Sequence, residues 1–236
     1  MKGVILAGGK GTRLLPLTKI TNKHLLPIYD KVMIEYPLGT LLRAGVKDIL
    51  IISGGDHIGS FVEYLGSGNN YGANFTYKTQ EEAGGTAQAL SLAEDFVGGD
   101  SVMVIMADQI LEDNFLKAVE TFKKGAKIFV KAVKNPERFS VAVLDGESVT
   151  DIVEKPAKSS TPYALAGVFI YDPDIFKIIK KIKPSPRGEL EITDANIAYL
   201  RRGLLRAEII KGFWTDAGTF ESLAVAINWA KANCTK

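Results

Sequence analysis

Short apolar runs alternate with amphipathic segments through the first 133 residues, and this alternation limits the possible folds more than any other feature. Runs such as 49–53 and 102–106 are apolar at nearly every position, so both faces of each strand must be covered. The pattern predicts strands at 4–6, 49–53, 75–79, 102–106 and 127–133, and helices at 33–44, 57–65, 86–96 and 114–124. We therefore expect an α/β fold with a mostly parallel central sheet flanked by helices.

The second half of the chain is richer in strands. Runs at 141–144 and 148–153 flank Asp145-Gly146, a dipeptide typical of a β-hairpin turn. The remaining pattern predicts strands at 165–171 and 205–210, and helices at 174–181, 191–202 and 220–232. Because no repeat, low-complexity segment or linker separates the halves, we expect one domain over 1–236 with a small β-rich lobe.

Composition argues against several classes of partner. A net charge of +2 and a hydrophobic fraction of 46% are typical of a globular core and give no case for nucleic acid or a membrane surface. The apolar runs are too short to cross a bilayer. Cys234 is the only cysteine, so no intramolecular disulfide or cysteine-based zinc site can form, and we expect a cytoplasmic location.

The stretch after the first strand carries the strongest chemical signal. It reads Gly8-Gly9-Lys10-Gly11-Thr12-Arg13, three glycines with two cations. Glycines let a bound group approach the backbone, successive N–H groups form a concavity for anions, and Arg13 can hold phosphate oxygens in a fork. The spacing fits neither the dinucleotide fingerprint nor the Walker A loop. A flexible turn is the alternative, but the strand and the cations favour phosphate binding.

Two aspartates are candidates for a metal site. Asp108 follows an apolar strand directly, and Asp216 follows the aromatic-rich stretch 213–215. Since ligands of parallel sheets bind at the carboxyl ends of strands, we expect Asp108, Gln80 and the glycine-rich loop to converge on one crevice. Mg²⁺ prefers a few carboxylates together with water and substrate phosphates. The alternative is that each aspartate caps a helix or a turn.

Three more charged side chains are candidates for substrate binding. Lys23 enters an apolar Leu-Leu-Pro segment that would hold it within reach of a phosphate, unless it is a solvated loop lysine. Glu154 and Lys155 suit the recognition of hydroxyl and phosphate groups, unless they form a surface charge pair.

His24 and His57 have no cysteine or third histidine beside them, which disfavours a transition-metal site. No motif for a catalytic nucleophile is present. Phosphoryl and nucleotidyl transfers need none, because they can proceed by positioning and charge neutralisation alone.

Together these motifs resemble a known family. The stretches 6–14, 23–27, 107–108, 154–156 and 214–219 match, in order, the signatures of the sugar-1-phosphate nucleotidyltransferases. The segment 184–194, Pro-Ser-Pro-Arg-Gly-Glu-Leu-Glu-Ile-Thr-Asp, most closely resembles the glucose-1-phosphate thymidylyltransferases. The resemblance covers nearly the whole chain, from residue 1 to about residue 232.

The resemblance implies a Rossmann-like nucleotidyltransferase fold, with a nucleotide-binding part over about 1–133 and a sugar-binding part over about 134–236. The implied reaction transfers a nucleotidyl group from dTTP to glucose 1-phosphate and gives dTDP-glucose and pyrophosphate, with Mg²⁺ as cofactor. The implied catalytic residues are Arg13, Lys23, Asp108 and Lys155, and the implied metal ligands are Asp108 and Asp216. The implied nucleotide-binding residues are Leu6, Gly8, Gly9, Gly11, Thr12, Arg13, Gln80 and Gly85. The implied sugar-phosphate-binding residues are Ser140, Glu154, Lys155 and Thr193.

Departures from the family pattern leave alternatives open. His24 stands where glutamine is usual, Gln109 where asparagine is usual, and Ser140 where a glycine lies close to the sugar. UTP or another sugar 1-phosphate is therefore an alternative substrate. The chain ends before the helical segment of longer family members, so their tetramer and feedback control are not implied, although a homo-oligomer is possible. A non-catalytic nucleotide-sugar sensor is the alternative of another class.

Overall fold

The computed structural model describes residues 1–146 and 148–233, and Cys234 lies outside this range. The strands are β1 (Lys2–Ala7), β2 (Pro27–Ile28), β3 (Lys31–Val32), β4 (Asp48–Gly54), β5 (Asn74–Gln80), β6 (Val102–Met106), β7 (Gln109–Leu111), β8 (Ala126–Ala132), β9 (Val141–Asp145), β10 (Ser148–Val153), β11 (Tyr163–Tyr171), β12 (Leu205–Ile209) and β13 (Trp214–Asp216). The helices are α1 (Glu35–Arg43), α2 (Ile58–Leu65), α3 (Thr86–Ser91), α4 (Glu94–Val97), α5 (Leu116–Thr121), α6 (Asp174–Ile179), α7 (Ile192–Arg201) and α8 (Phe220–Asn233).

The central sheet is mixed and contains nine strands within the described residues. β1 pairs in parallel with β4 and β6, and β5 extends the sheet beyond β4. β11 runs antiparallel between β6 and β8, while β12 pairs in parallel with β8. β9 joins antiparallel to β11 and forms a hairpin with β10. All of these strands except β10 and β11 run in one direction, so the predicted mostly parallel sheet flanked by helices is confirmed.

The order of the strands in the sheet and the boundaries of some elements differ from the sequence prediction. The pattern suggested that 127–133 continues the parallel series, but β11 from the second half lies between β6 and β8. The helix expected over 86–96 is two helices, because the hydrogen bonds from Leu92 N to Ala89 O and from Ala93 N to Leu90 O tighten the chain into a turn. The short antiparallel pair of β7 and β13 was not predicted.

Apolar side chains fill both faces of the sheet. One cluster gathers residues of α3, α4, α6 and α7, and another gathers residues of α1, α2 and α5. A smaller cluster joins α8 to β2 and to the 3-10 turn Thr12–Leu14. Across the described ranges, no helix has the length and apolar character needed to cross a membrane. The parallel strands β1, β5 and β6 end at one edge of the sheet, which brings the residues that follow them together.

Phe129 tests the packing of the second cluster. Its side chain is fully buried, and its ring meets that of Phe115 edge to face at a centroid separation of 4.6 Å. Replacement of Phe129 by alanine should lower the free energy of unfolding by about 3–5 kcal/mol, measured by urea denaturation, because it leaves a cavity. The control Leu116→Ala removes an exposed side chain and should change this free energy by about 0.5 kcal/mol or less. Equal effects would contradict this description of the core.

Candidate active site

The glycine-rich loop is in direct contact with the end of β5. Gly8 follows β1, and a Cβ atom built on it would lie 2.1 Å from Gln80 Oε1, so a larger residue would displace this side chain. The Gln80 amide Nε2 donates hydrogen bonds to Gln88 Oε1 at 2.6 Å and to the Gly85 carbonyl at 3.3 Å. The Gln80 side chain is therefore fixed, with its Oε1 against the loop.

A second close approach requires glycine at position 85. Gly85 has φ +102°, and a Cβ atom on it would lie 2.5 Å from the Leu190 carbonyl oxygen. Leu190 N donates to the Gly84 carbonyl at 2.8 Å, and Ala87 N donates to the Leu190 carbonyl at 2.9 Å. The segment before α7 is thereby attached to the start of α3.

These contacts enclose a cavity of about 200 Å³. Its wall is formed by Leu6, Gly8, Gly9, Lys23, His24, Gln80, Ala83, Gly85, Thr86, Ala89, Met106, Asp108 and Glu189. The predicted nucleotide-binding residues Leu6, Gly8, Gly9, Gln80 and Gly85 all lie on it. Six further residues of the wall were not predicted from the sequence: His24, Ala83, Thr86, Ala89, Met106 and Glu189. Of these, Met106 could have been anticipated, because it is the last residue of a buried strand.

The rest of the loop faces a different part of the site. Gly11 has φ +65° and its carbonyl accepts a hydrogen bond from Thr18 Oγ1 at 2.9 Å. It begins the 3-10 turn that carries Thr12 and Arg13. A Cβ atom built on Gly218 would lie 2.9 Å from Arg13 Nη2, which places this guanidinium beside the loop that follows β13. Gly8 and Gly9 thus line the cavity, Gly11 lies against Thr18 and Lys23, and Arg13 lies on the β13 side.

A buried ion pair joins the loop region to the end of β6. Lys23 Nζ lies 2.6 Å from Asp108 Oδ2, and Lys23 is only 8% exposed, so it is not a solvated loop lysine. Asp108 Oδ1 accepts from Gln109 Nε2 at 2.7 Å, and Gln109 Oε1 accepts from Trp214 Nε1 at 2.9 Å. Burial opposes ionisation of Asp108, but the charge of Lys23 and the hydrogen bonds from Lys23 and Gln109 outweigh it and lower the pKa of the carboxyl.

His24 is a buried neutral side chain beside this pair. Its backbone N–H donates to Asn22 Oδ1 at 2.9 Å, and the same oxygen lies 2.8 Å from His24 Nδ1. Burial, reinforced by the positive charge of Lys23, lowers the pKa of His24 to about 3. The imidazole is therefore uncharged near neutral pH and adds no charge to the cavity wall.

Asp216 lies close to Asp108 through the pairing of β13 with β7. It is opposite Gln109 in that pairing, and the next residue, Ala217, donates its N–H to the Asp108 carbonyl at 2.9 Å. Burial and the negative charge of Asp108 raise the pKa of Asp216, while Arg138, whose Nη2 is 3.9 Å away, acts in the opposite direction. Two carboxylates that repel each other are a favourable place for a cation.

The donor set fits Mg²⁺ better than a transition metal. Within residues 1–146 and 148–233, no group of three or more histidine, cysteine, aspartate or glutamate side chains is arranged to hold a metal ion. Asp108 and Asp216 would supply two carboxylates, and each carboxylate oxygen keeps a further lone pair beside its present partner. The remaining positions would be filled by water and substrate phosphates, as is usual for Mg²⁺.

The predicted sugar-phosphate residues form a second cluster around Glu154. Its Oε2 accepts hydrogen bonds from Ser140 Oγ and from Thr193 Oγ1, the latter at 2.6 Å. Its Oε1 lies 3.3 Å from Arg187 Nη2 and 3.6 Å from Lys155 Nζ. Burial opposes ionisation of Glu154, but the two hydroxyl donors and the two cations lower the pKa of the carboxyl. Glu154 is thus a partly buried group with partners on both carboxylate oxygens and not one half of a surface charge pair.

Two features of this cluster were not expected from the sequence. Lys155 has φ +39°, a left-handed conformation that residues with a side chain rarely adopt and that is found more often at functional sites. Arg187 also donates to Glu191 Oε1 at 2.7 Å and so anchors the cluster to the segment before α7. The signal for Arg187 was present, because it is the one basic residue of the motif 184–194.

A larger cavity, of about 740 Å³, lies beside α6 and α7 on the other side of Arg187. It shares Glu154 and Arg187 with the cluster, but neither Lys23 nor Asp108 is part of its wall. Catalysis needs charged groups that meet the reacting atoms. We therefore locate the candidate chemistry between the smaller cavity and the Glu154 cluster.

Comparisons with known proteins find relatives that span nearly the whole chain. Residues 2–232 match the family model described as Nucleotidyl transferase. Glucose-1-phosphate thymidylyltransferase from Neisseria meningitidis is 42% identical, over 98% of this chain and 83% of its own. A Bacillus anthracis protein assigned the same name and solved with sucrose is 48% identical, with a TM-score of 0.95 over 100% of this chain and 97% of the other. UDP-glucose pyrophosphorylase complexed with UDP-glucose is 28% identical, with a TM-score of 0.88 over 99% of each chain.

The lowered pKa of Glu154 predicts a pH-dependent contribution to stability. A carboxyl group whose pKa is lower in the folded chain stabilises the fold above its unfolded pKa, and this contribution is lost as the pH falls through the folded value. The free energy of unfolding of wild type minus that of Glu154→Gln should therefore shrink as the pH falls below the ordinary glutamate range. Urea denaturation over a pH series measures it, with Glu208→Gln in an exposed ion pair as control. A difference that does not vary with pH would contradict the prediction.

Proposed function

Because this chain belongs to the nucleotidyl transferase family, we propose that it transfers a thymidylyl group from dTTP to glucose 1-phosphate, giving dTDP-glucose and pyrophosphate. The observation that carries the proposal is the buried Lys23–Asp108 pair. It faces the cavity under the glycine-rich loop on one side and adjoins Asp216 on the other. Charged groups held in this way can receive a triphosphate and stabilise charge at its α-phosphate.

The cavity of about 200 Å³ is the proposed base site. Its walls combine apolar side chains, among them Leu6 and Met106, with the amide of Gln80. A pyrimidine offers an apolar ring face and polar edge atoms, so this mixture suits it. The glycine-rich loop and Arg13 would then hold the triphosphate, with Arg13 on the β13 side of the loop.

The Glu154 cluster is the proposed site of the sugar phosphate. Glu154 would accept hydrogen bonds from sugar hydroxyls, and Lys155 would bind the phosphate. Arg187 carries a second positive charge to the same place, where its guanidinium can bind phosphate oxygens in a fork. Ser140 and Thr193 hold the Glu154 carboxylate in position.

In the proposed reaction an oxygen of the sugar phosphate attacks the α-phosphorus in line. The new phosphorus–oxygen bond forms as the bond to the β-phosphate oxygen breaks, and pyrophosphate leaves with the electron pair. No general base is needed, because a sugar phosphate is already ionised at neutral pH. Both reactants are anions, so Arg13, Lys23 and Lys155 would offset their repulsion and the charge that develops in the transition state.

Asp108 and Asp216 are the residues that would hold Mg²⁺, which when bound supplies charge neutralisation at the phosphates. Lys23 would be released from part of its contact with Asp108 as the phosphates arrive. The lysine is then already desolvated and positioned for its new partner.

Two alternatives are weighed against this proposal. Use of UTP is supported by the likeness to UDP-glucose pyrophosphorylase, but that likeness has lower identity than the likeness to the thymidylyltransferases. A nucleotide-sugar sensor without catalysis would need no Lys23–Asp108 pair at the reacting end of the cavity. The intact pair, together with Asp216, favours an enzyme.

Asp216→Asn separates catalysis from folding. Because burial and the charge of Asp108 disfavour the ionised form of Asp216, a neutral asparagine should leave the melting temperature unchanged or raise it. Pyrophosphate release should fall at least about a hundredfold in kcat, since half of the carboxylate pair is lost. Asp108→Asn should lose turnover as well, but with lower stability, because it leaves Lys23 buried without its partner.

The matched control is Asp100→Asn, an exposed aspartate in the turn before β6, which should retain wild-type turnover. Near-normal turnover in Asp216→Asn, with folding intact, would reject the role of the carboxylate pair.

The choice of substrates is tested by a turnover matrix. Purified protein with Mg²⁺ is assayed for pyrophosphate release with dTTP, UTP, CTP, GTP and ATP, each against several sugar 1-phosphates. The highest kcat/KM is expected for dTTP with glucose 1-phosphate. A higher value for UTP would favour the first alternative, and binding of dTDP-glucose without any turnover would favour the sensor.

A further inference from the structure

The two oxygens of Glu154 differ in their capacity to accept further hydrogen bonds. Oε2 already accepts from two hydroxyls, Ser140 Oγ and Thr193 Oγ1. A carboxylate oxygen has two lone pairs, so these donors fill Oε2. A ligand hydroxyl could bind Oε2 only by displacing one of them.

Both donors to Oε2 are held firmly. Thr193 is 2% exposed and lies in the first turn of α7, where its hydroxyl lies 3.3 Å from Ser140 Oγ. The Ser140 carbonyl accepts the backbone N–H of Leu165 at 2.8 Å, which fixes this residue against the start of β11. Displacement of either hydroxyl would leave a polar group in this partly buried cluster without its partner.

The environment of Oε1 is different. Its neighbours are Arg187 Nη2 at 3.3 Å and Lys155 Nζ at 3.6 Å. About half of the surface of each of these two side chains is exposed. Of the two, only Arg187 donates a hydrogen bond to Oε1, because Lys155 Nζ at 3.6 Å forms an ion pair beyond hydrogen-bond length. One lone pair of Oε1 therefore stays open to the sugar. Oε1 is therefore the oxygen through which Glu154 can bind a sugar hydroxyl.

We propose that Ser140 is a specificity-determining residue, which confines sugar recognition by Glu154 to one carboxylate oxygen. A carboxylate with both oxygens open can bind two neighbouring sugar hydroxyls at once, one on each oxygen. With Ser140 and Thr193 on Oε2, that arrangement is excluded. The site therefore tolerates hexose 1-phosphates that lack one hydroxyl of such a pair. This inference rests on the proposed function of the Glu154 cluster.

The test compares wild type with Ser140→Ala on glucose 1-phosphate and on a set of monodeoxyglucose 1-phosphates, each lacking one hydroxyl. Loss of the serine hydroxyl opens a lone pair on Oε2. The ratio of kcat/KM for glucose 1-phosphate to that for the most affected monodeoxy analogue should rise about tenfold, the size of one hydrogen bond to a charged group. The change should appear in the KM for the sugar phosphate, while the KM for dTTP stays the same.

Ser160→Ala, which removes an exposed hydroxyl elsewhere in the same lobe, should leave the ratio unchanged. Ser140→Gly removes the same hydroxyl and serves as the second variant if Ser140→Ala folds poorly. It should also raise the ratio. A uniform loss of kcat/KM on all the sugar phosphates would overturn the proposal, because Ser140 would then only orient Glu154. An unchanged ratio in both variants would overturn it as well.

The proposed function has a separate readout in the same assay. Glu154→Gln should raise the KM for glucose 1-phosphate at least about tenfold, because the charged acceptor is lost. If the wild type turns over glucose 1-phosphate and Glu154→Gln is impaired, but the ratio does not respond to Ser140, only the specificity inference fails. If the wild type accepts no hexose 1-phosphate, the proposed function fails and the inference fails with it.

Discussion

The buried ion pair between Lys23 and Asp108 is the interaction on which the rest of the site depends. It joins the segment after the glycine-rich loop to the end of β6, and so determines where the loop returns across the edge of the sheet. Removing two charges from water is costly, and such pairs seldom add net stability. Its consequences are local and electrostatic. The charge of Lys23 adds to the effect of burial in lowering the pKa of His24, and the charge of Asp108 adds to the effect of burial in raising the pKa of Asp216. A charged surface is thereby assembled before any phosphate arrives.

A second constraint is that one short segment serves both halves of the site. Leu190 lies against Gly85 at the cavity of about 200 Å³, while Arg187, three residues earlier, contacts Glu154 in the second cluster. Close backbone packing at Gly85 leaves this segment little freedom, since even a Cβ atom would collide with the Leu190 carbonyl. The distance between the cavity and the Glu154 cluster is therefore set by the backbone and not by flexible side chains, as the proposed in-line transfer between two bound substrates would require.

Much of the architecture was predictable from local pattern. Apolar runs of strand length, each followed by an amphipathic segment, predicted most strands and helices. The same alternation predicted that the strands run mostly in one direction. Since parallel strands place their following residues at one edge, the convergence of the glycine-rich loop, Gln80 and Asp108 could be expected as well. The position of β11 between β6 and β8 could not, because an apolar run specifies burial on both faces but not which strands lie beside it.

The sequence by itself determined which kinds of residue stand at the ends of the strands: glycines and cations after β1, a carboxylate after β6, and an acid beside a base after β10. The tertiary structure decided what each of them contacts. Lys23 and Asp108 are 85 residues apart in the chain, and Thr193 and Glu154 are 39 apart, so no local pattern encodes their hydrogen bonds. The raised pKa of Asp216 and the difference between the two oxygens of Glu154 follow from burial and from distances of a few ångströms, which exist only after the chain has folded.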